Sequence, residues 1–260
     1  MKAFSFQLFF FCCSNFFSSA LIANSVEYEL SRIDKYIASE PDNINHRLKK
    51  ARLLFETNQH QLSIDEYNII LKLKPKEYRA YFGRGMALGR LGQIQKGIDD
   101  ISVFIKHHSE NSLAYTKRGV RYLWLGELQK ASDDFHRAIS IDPKNAEAHD
   151  DLGVILAQQN KPKEAAEHFL TTIKYGPSYQ KTYHNLALTY FIYDNSVAAL
   201  SMVNKAIALP PNSKDTVLLK SEILRSLGNI RQSDALKEDA QFLPKATGLN
   251  LWPSNNRTKS

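Results

Sequence analysis

The stretch that decides the fold is residues 112–179, SLAYTKRGVRYLWLGELQKASDDFHRAISIDPKN followed without a gap by AEAHDDLGVILAQQNKPKEAAEHFLTTIKYGPSY. It holds two copies of one 34-residue unit, residues 112–145 and residues 146–179. Four residue types recur at that offset: Gly119 as Gly153, Ala131 as Ala165, Phe135 as Phe169, and Pro143 as Pro177. Self-similarity at such a period is the sequence signature of a solenoid, in which each unit buries its apolar face by stacking on its neighbours.

The same period continues in both directions along the chain. Prolines stand at positions 41, 75, 143, 177 and 211, and Ser109 fills the missing place. A second series consists of residue types that tolerate the left-handed backbone used to end helices: Asn58, Gly92, Gly126, Asn160, Asp194 and Gly228. Each unit is therefore predicted to contain two helices, separated by a stop near its middle and closed by a stop near its end.

This phase predicts an all-α solenoid over residues 44–243. The predicted units are residues 44–77, 78–111, 112–145, 146–179, 180–213 and a degenerate 214–243. Residues 26–43 fit a single amphipathic helix, a half-repeat that would cover one end of the stack. Residues 244–260 have no period and are predicted to be a flexible tail, with Leu251 and Trp252 as its sizeable apolar residues.

Residues 1–25 have the pattern of a secretory signal peptide, with Lys2, a Phe-rich apolar run and then small residues. Cleavage is expected after Ser25 or, nearly as well, after Ala20. The predicted location is periplasmic or secreted, and the alternative is a protein anchored in the membrane through residues 3–23. Both cysteines lie in this segment, at positions 12 and 13, so the cleaved chain would have no thiol.

Composition and motifs argue against several classes of function. The net charge of +7 is a mild basic excess, so no nucleic-acid partner is expected. We find no Gly-rich phosphate loop and no His-Glu-x-x-His run, and His107 and His108 have no third ligand at metal-binding spacing. Asp99, Asp100, Asp133 and Asp134 are expected to be surface charge. We therefore predict no catalytic residues, no cofactor and no metal site.

The recurring residues resemble the tetratricopeptide repeat family. The resemblance covers roughly residues 44–240 and depends on five places of the repeat. The matching residues are Tyr81, Tyr115 and Tyr183 at the fourth place, Gly85, Gly119, Gly153 and Ala187 at the eighth, Ala131, Ala165 and Ala199 at the twentieth, Tyr67, Phe135 and Phe169 at the twenty-fourth, and the prolines at the thirty-second. It implies a right-handed superhelix of helix-turn-helix repeats, whose first helices line a concave groove that holds a partner segment.

Projecting the family's groove places onto this chain gives a set of candidate binding residues that mixes arginines with aromatic and thioether side chains, types that dominate binding hot spots. The set is Arg52, Arg79, Phe82, Met86, Arg90, Thr116, Val120, Trp124, Asp150, Lys181 and His184. Arginines beside an apolar groove suit a protein or peptide partner with acidic residues or a free carboxyl terminus. The alternative is that Phe82, Met86 and Trp124 only pack against neighbouring helices.

The predicted function is a non-catalytic scaffold that binds a protein partner and supports assembly of a cell-envelope or export complex. One alternative is an accessory carbohydrate-binding protein of a polysaccharide export system, which would use Trp124, Tyr122 or Trp252. Another is a structural protein that self-associates into a homo-oligomer. A further hypothesis is that Trp252 folds back and blocks the groove.

Overall fold

The computed structural model describes residues 25–176, 180–210 and 213–243, and within these ranges every regular element is helical. A first helix, α1 (residues 25–39), precedes six helix pairs. The first helices of the pairs are α2 (Ile44–Glu56), α4 (Tyr78–Arg90), α6 (Ser112–Trp124), α8 (Ala146–Gln158), α10 (Gln180–Ile192) and α12 (Lys214–Ser226). The second helices are α3 (His60–Leu73), α5 (Ile94–His107), α7 (Leu128–Ile141), α9 (Pro162–Tyr175), α11 (Ser196–Ile207) and α13 (Ile230–Asp239), followed by a 3-10 turn, Ala240–Phe242.

The chain divides into two compact units, an N-terminal unit that ends at Ser109 and a C-terminal unit that begins at Glu110. Residues 1–24 of the predicted signal segment and the predicted tail, with Trp252, lie outside the described residues. No helix in the described part of the chain combines the length and apolar character needed to span a membrane.

The predicted all-α fold of helix pairs is confirmed, and the helix stops lie at the residues that the period identified. Backbone φ is +60°, +61° and +57° at Asn58, Asn160 and Asp194, and it is +75°, +75° and +83° at Gly92, Gly126 and Gly228. A left-handed residue ends a helix because it turns the chain and frees the next residues to reverse direction. All six turns between the paired helices therefore contain one residue in the left-handed backbone conformation.

Close approach of the two helices in a pair explains the glycine at the eighth place of the repeat. A Cβ atom added at Gly119 would lie 2.7 Å from the Phe135 ring, and one added at Gly153 would lie 2.8 Å from the Phe169 ring. Both rings are fully buried in the core of the C-terminal unit. The glycines thus let each phenylalanine pack directly against the backbone of the preceding helix.

Ion pairs also connect the helices of the first three pairs, and they correct one expectation. Asp100 and Asp134 were expected to be surface charge with Asp99 and Asp133, but only the latter two are exposed. Asp100 and Asp134 are buried because a cation sixteen residues earlier, on the first helix, neutralises each of them. The contacts are Arg84–Asp100 at 2.7 Å and Arg118–Asp134 at 2.7 Å, and Lys50–Glu66 at 2.9 Å is the equivalent pair between α2 and α3.

In the fourth pair Leu152 and His168 occupy the places of this ion pair, and His168 contacts a second histidine, His149, instead. His149 Nε2 lies 3.2 Å from the carbonyl oxygen of Pro143, and His149 Nδ1 lies 2.7 Å from His168 Nδ1. If Nε2–H of His149 donates to the carbonyl, its Nδ1 accepts from Nδ1–H of His168, so both rings are neutral. Burial, together with the neighbouring His149, lowers the pKa of His168 to about 4.

Candidate protein-binding face

The first helices form one layer of each compact unit, and this layer is the candidate binding face. In the C-terminal unit α6, α8, α10 and α12 contact one another in succession, and in the N-terminal unit α2 contacts α4. Among the described residues, successive second helices within a unit make no such contact. Each unit is therefore more tightly curved on the side of its first helices, which we call the inner face, and the side of the second helices is the outer face.

In the N-terminal unit the predicted arginines lie in the open while the predicted apolar residues are partly buried. Arg52 donates to Glu56 at 2.7 Å and Arg79 donates to Glu77 at 2.6 Å, and both guanidinium groups remain mostly exposed. Arg90 is also exposed. Phe82 and Met86 are half-buried, and the Phe82 ring packs against Phe104 of α5 with centroids 5.0 Å apart. This part of the inner face therefore combines exposed cationic groups with half-buried apolar side chains.

The outer side of the same unit contains a polar cleft between α3 and α5. Its volume is ≈ 420 Å³, and Arg84 forms part of its floor. The guanidinium of Arg84 donates to both carboxylate oxygens of Asp100, at 2.7 and 2.8 Å, and to Asn68 Oδ1 at 2.8 Å. These contacts hold the guanidinium of Arg84 against structural partners, and Lys96, a second cation that lines the cleft, donates to Gln93 Oε1 at 3.0 Å.

In the C-terminal unit the structure corrects the prediction for Thr116. This residue is fully buried, donates to the Ser112 carbonyl at 3.0 Å and accepts from Asn145 Nδ2 at 2.8 Å. Asn145 belongs to the turn before α8, and its Oδ1 caps α8 by accepting from the amide of Ala148 at 3.0 Å. The hydroxyl of Thr116 therefore positions a helix cap and does not line the binding face.

The predicted apolar residues of the C-terminal unit, Val120 and Trp124, are also partly buried in the core. Val120 packs against the buried cluster around Phe135. Trp124 is half-buried, and the guanidinium carbon of Arg121 lies 5.8 Å from its ring centroid. Because the indole of Trp124 is only half-buried, part of the ring is still exposed and can contact a partner chain.

His184 lies on α10 and is linked to the next pair of helices. Its Nδ1 is 3.0 Å from the hydroxyl of Thr216 on α12, and the side chain is half-buried. Burial lowers the pKa of His184. This histidine connects two first helices and is neutral at physiological pH.

A charged cluster on α8 and its neighbours is the main feature of the inner face of the C-terminal unit, and we call it the α8 cluster. It consists of Glu147, Asp150 and Asp151 on α8 with Lys117 on α6 and Lys181 on α10. Lys117 Nζ donates to both carboxylate oxygens of Glu147 at 2.6 Å. Lys181 Nζ lies 3.3 Å from Asp150 Oδ2 and 3.9 Å from Asp151 Oδ1, and Thr182 donates to Asp150 Oδ1 at 2.9 Å.

Only Asp150 and Lys181 of this cluster were predicted, and Lys117, Glu147 and Asp151 were missed. Asp151 keeps just 9% of its surface exposed, and burial raises the pKa of its carboxyl to about 7 although Lys181 favours the charged form. The adjacent pair Asp150 and Asp151 was the available signal, since Asp150 was already assigned to the groove and the next residue of a helix points in an adjoining direction.

No three histidine, cysteine, aspartate or glutamate side chains in ranges 25–176, 180–210 and 213–243 are placed to hold a metal ion. In the α8 cluster the two ammonium groups lie against carboxylates of the neighbouring helices, an arrangement that suits recognition of a charged partner.

Comparison with known proteins identifies the repeats. Residues 48–103 match the tetratricopeptide repeat family, and residues 119–160 match a second family description, TPR repeat. A comparison with curated proteins finds no match.

Several solved structures share the fold. YrrB, described as a TPR protein with an unusual peptide-binding site, is 22% identical with a TM-score of 0.57, over 71% of this chain and 95% of YrrB. PilF of Pseudomonas aeruginosa is 11% identical with a TM-score of 0.69, over 76% of this chain and 90% of PilF. A tetratricopeptide repeat protein of Parabacteroides merdae is 16% identical with a TM-score of 0.62, over 87% of this chain and 90% of that protein.

Proteins built from these repeats generally mediate protein–protein interactions, and their fold is typically a non-catalytic scaffold. The period of 34 residues, the six helix pairs and both repeat matches agree with one another. The chain is therefore built from tetratricopeptide repeats, which the family descriptions match over residues 48–103 and 119–160.

Proposed function

We propose that this chain is a non-catalytic scaffold that binds an extended segment of a protein partner on the inner face of its C-terminal unit. The observation that carries the proposal is the α8 cluster, five charged side chains from three successive first helices on one face. Charged groups set across several helices give a partner chain both orientation and register. The half-buried Val120 and Trp124 provide apolar surface on the same helix layer.

The exposed arginines of the N-terminal unit support a second part of the proposal, which concerns the partner's charge. Arg52 and Arg79 are held by Glu56 and Glu77, and Arg90 makes no ion pair with a residue of the described ranges. Exposed guanidinium groups pair well with carboxylates. We propose that acidic residues or a carboxyl terminus of a partner bind here.

The proposed setting is assembly of a cell-envelope or export complex, in the periplasm or after secretion. Support comes from the sequence of residues 1–25, whose charged start, apolar run and small residues fit a cleaved signal peptide. Detecting the amino terminus of the purified native protein by mass spectrometry tests this setting. A terminus at residue 26 or 21 supports it, and an intact Met1 counts against it.

Self-association is a second candidate function, favoured by exposed apolar side chains in the fifth helix pair and in the final turn of the described chain. Val197 on α11 and Phe242 in the final 3-10 turn are among the most exposed large hydrophobic residues. Such residues often lie at interfaces when they group together. Mass measured by light scattering over a hundredfold range of concentration distinguishes a monomer from a homo-oligomer.

Two matched variants test whether the inner face binds the partner. Leu113, on α6 one turn before Lys117, is exposed at the inner face to 49%, and Leu128, at the start of α7, is exposed to 38%. Because both are exposed, arginine at either position should leave the fold intact, which circular dichroism can verify. Twelve-residue peptides selected by phage display should bind the wild type and Leu128→Arg equally, and Leu113→Arg at least tenfold more weakly. Equal binding to all three proteins would contradict the proposed face.

A further inference from the structure

We propose that Asp151 binds the cationic end of an arginine or lysine side chain in the partner segment. This inference rests on the proposed function, and it assigns a partner chemistry to one place on the inner face of the C-terminal unit. It differs from the acidic partner expected at the arginines of the N-terminal unit, because here the protein contributes the carboxylate.

The geometry of the α8 cluster leaves Asp151 with the poorest set of partners. Glu147 receives both of its bonds from Lys117, and Asp150 receives one bond from Thr182 and a close ammonium from Lys181. Asp151 receives no hydrogen bond from any residue in the ranges that the structure describes. Its nearest cation, Lys181 Nζ at 3.9 Å, lies beyond hydrogen-bond distance.

Burial makes this arrangement costly for the folded protein. Asp151 keeps only 9% of its surface, and its side chain keeps 13%, so its carboxylate is largely shielded from water but can still be reached from outside. A desolvated carboxylate without donors is unfavourable, and proteins normally supply two or more N–H or O–H groups to such a carboxylate. When Asp151 is ionised, three carboxylates of the α8 cluster face only two ammonium groups, one from α6 and one from α10, so the ionised form lacks a matching positive charge.

A basic side chain matches what is missing. A guanidinium or ammonium group supplies several donors and the one positive charge that the cluster lacks. Lys181 already lies closer to Asp150 than to Asp151, so it can remain with Asp150 when the partner's cation arrives. A divalent metal is the weaker match, because no three carboxylates or imidazoles of the described residues converge as ligands.

The test combines a change in the peptide with a change in the protein. A twelve-residue peptide with blocked termini, selected on the wild type by phage display, is compared with its copy in which each arginine becomes citrulline and each lysine becomes norleucine. Both are measured on the wild type and on Asp151→Asn by isothermal titration calorimetry. Asp133→Asn, which changes an exposed carboxylate on the outer face, is the matched control.

If Asp151 binds the cation, the neutral peptide should bind the wild type about 10- to 100-fold more weakly, as expected for loss of a charged hydrogen bond. The same replacement should have little effect on binding to Asp151→Asn, and the full effect should persist in Asp133→Asn. If selected peptides lack basic residues, or if neutralising them costs the same in both Asp151 forms, the inference is wrong. The proposed function would then survive, provided that the peptides still depend on Leu113.

Discussion

Replacing Asp151 by asparagine should make the protein more stable at neutral and alkaline pH. The pKa of this buried carboxyl is about 7 in the folded chain, against an ordinary value of 3.8. Between these two pH values the folded protein holds a proton that the unfolded chain has released, so the free energy of unfolding falls as pH rises. Above pH 7 the free energy of unfolding is about 4 kcal/mol lower than it is below pH 4, because the two pKa values differ by roughly three units.

Asparagine has nearly the same shape as aspartate and carries no charge, so it avoids this loss. The free energy of unfolding of Asp151→Asn should exceed that of the wild type by about 2–4 kcal/mol at pH 8, and the gain should vanish near pH 4. Urea unfolding followed by circular dichroism at several pH values measures it, with Asp133→Asn as control. A difference between the variants that is independent of pH, or a variant that is less stable at every pH, would refute the reasoning.

Three further predictions concern the helix pairs. In urea unfolding, the stability of the wild type relative to His168→Leu should fall by about 2–3 kcal/mol between pH 6.5 and pH 4, because His168 is neutral when folded and takes a proton when unfolded. The opposite contribution of Asp151 is the same in both proteins and cancels in this difference. Gly119→Ala should cost about 1–3 kcal/mol, measured by thermal unfolding, because the new Cβ would lie 2.7 Å from the Phe135 ring. Arg118→Met should cost about 3–5 kcal/mol by the same assay, because Asp134 would stay buried without its cation.

The periodic features of this chain could be predicted from its sequence because each is set by local chemistry. In the part of the chain that the structure describes, the six residues with positive φ are glycine, asparagine or aspartate, the types that adopt that backbone at lowest cost, so their spacing revealed the turns. The six first helices begin at Ile44, Tyr78, Ser112, Ala146, Gln180 and Lys214, one period apart. A repeat length therefore carries nearly all of the information about element order in this fold.

The binding face was harder to predict because it depends on pairs of residues that lie far apart in the sequence. Thr116 has the periodicity of an inner-face residue, yet Asn145 covers its hydroxyl from the next repeat. Asp134 looks like a surface charge until Arg118 is placed beside it by the helix turn. Helical periodicity predicts which face of its helix each residue lies on, but it does not predict which residues of other helices contact its side chain.

Asp151 shows the same limit in its electrostatics. Asp151 is buried because it lies between α6 and α10. Its contact with Lys181 is weak because Lys181 Nζ lies closer to Asp150, at 3.3 Å, than to Asp151, at 3.9 Å. No single stretch of sequence contains these three facts together. The chemical character of the site could therefore be read only from the assembled helix layer.

The most direct test of the central claim is crosslinking from the inner face in the cells that make the protein. A photoreactive phenylalanine derivative is placed at position 113 on the inner face or at position 128 on the outer face, and the adducts are identified by mass spectrometry. If the partner binds where we propose, position 113 should give a discrete protein adduct that position 128 does not give. Adducts from position 128 alone, or the same adducts from both positions, would contradict binding on the inner face.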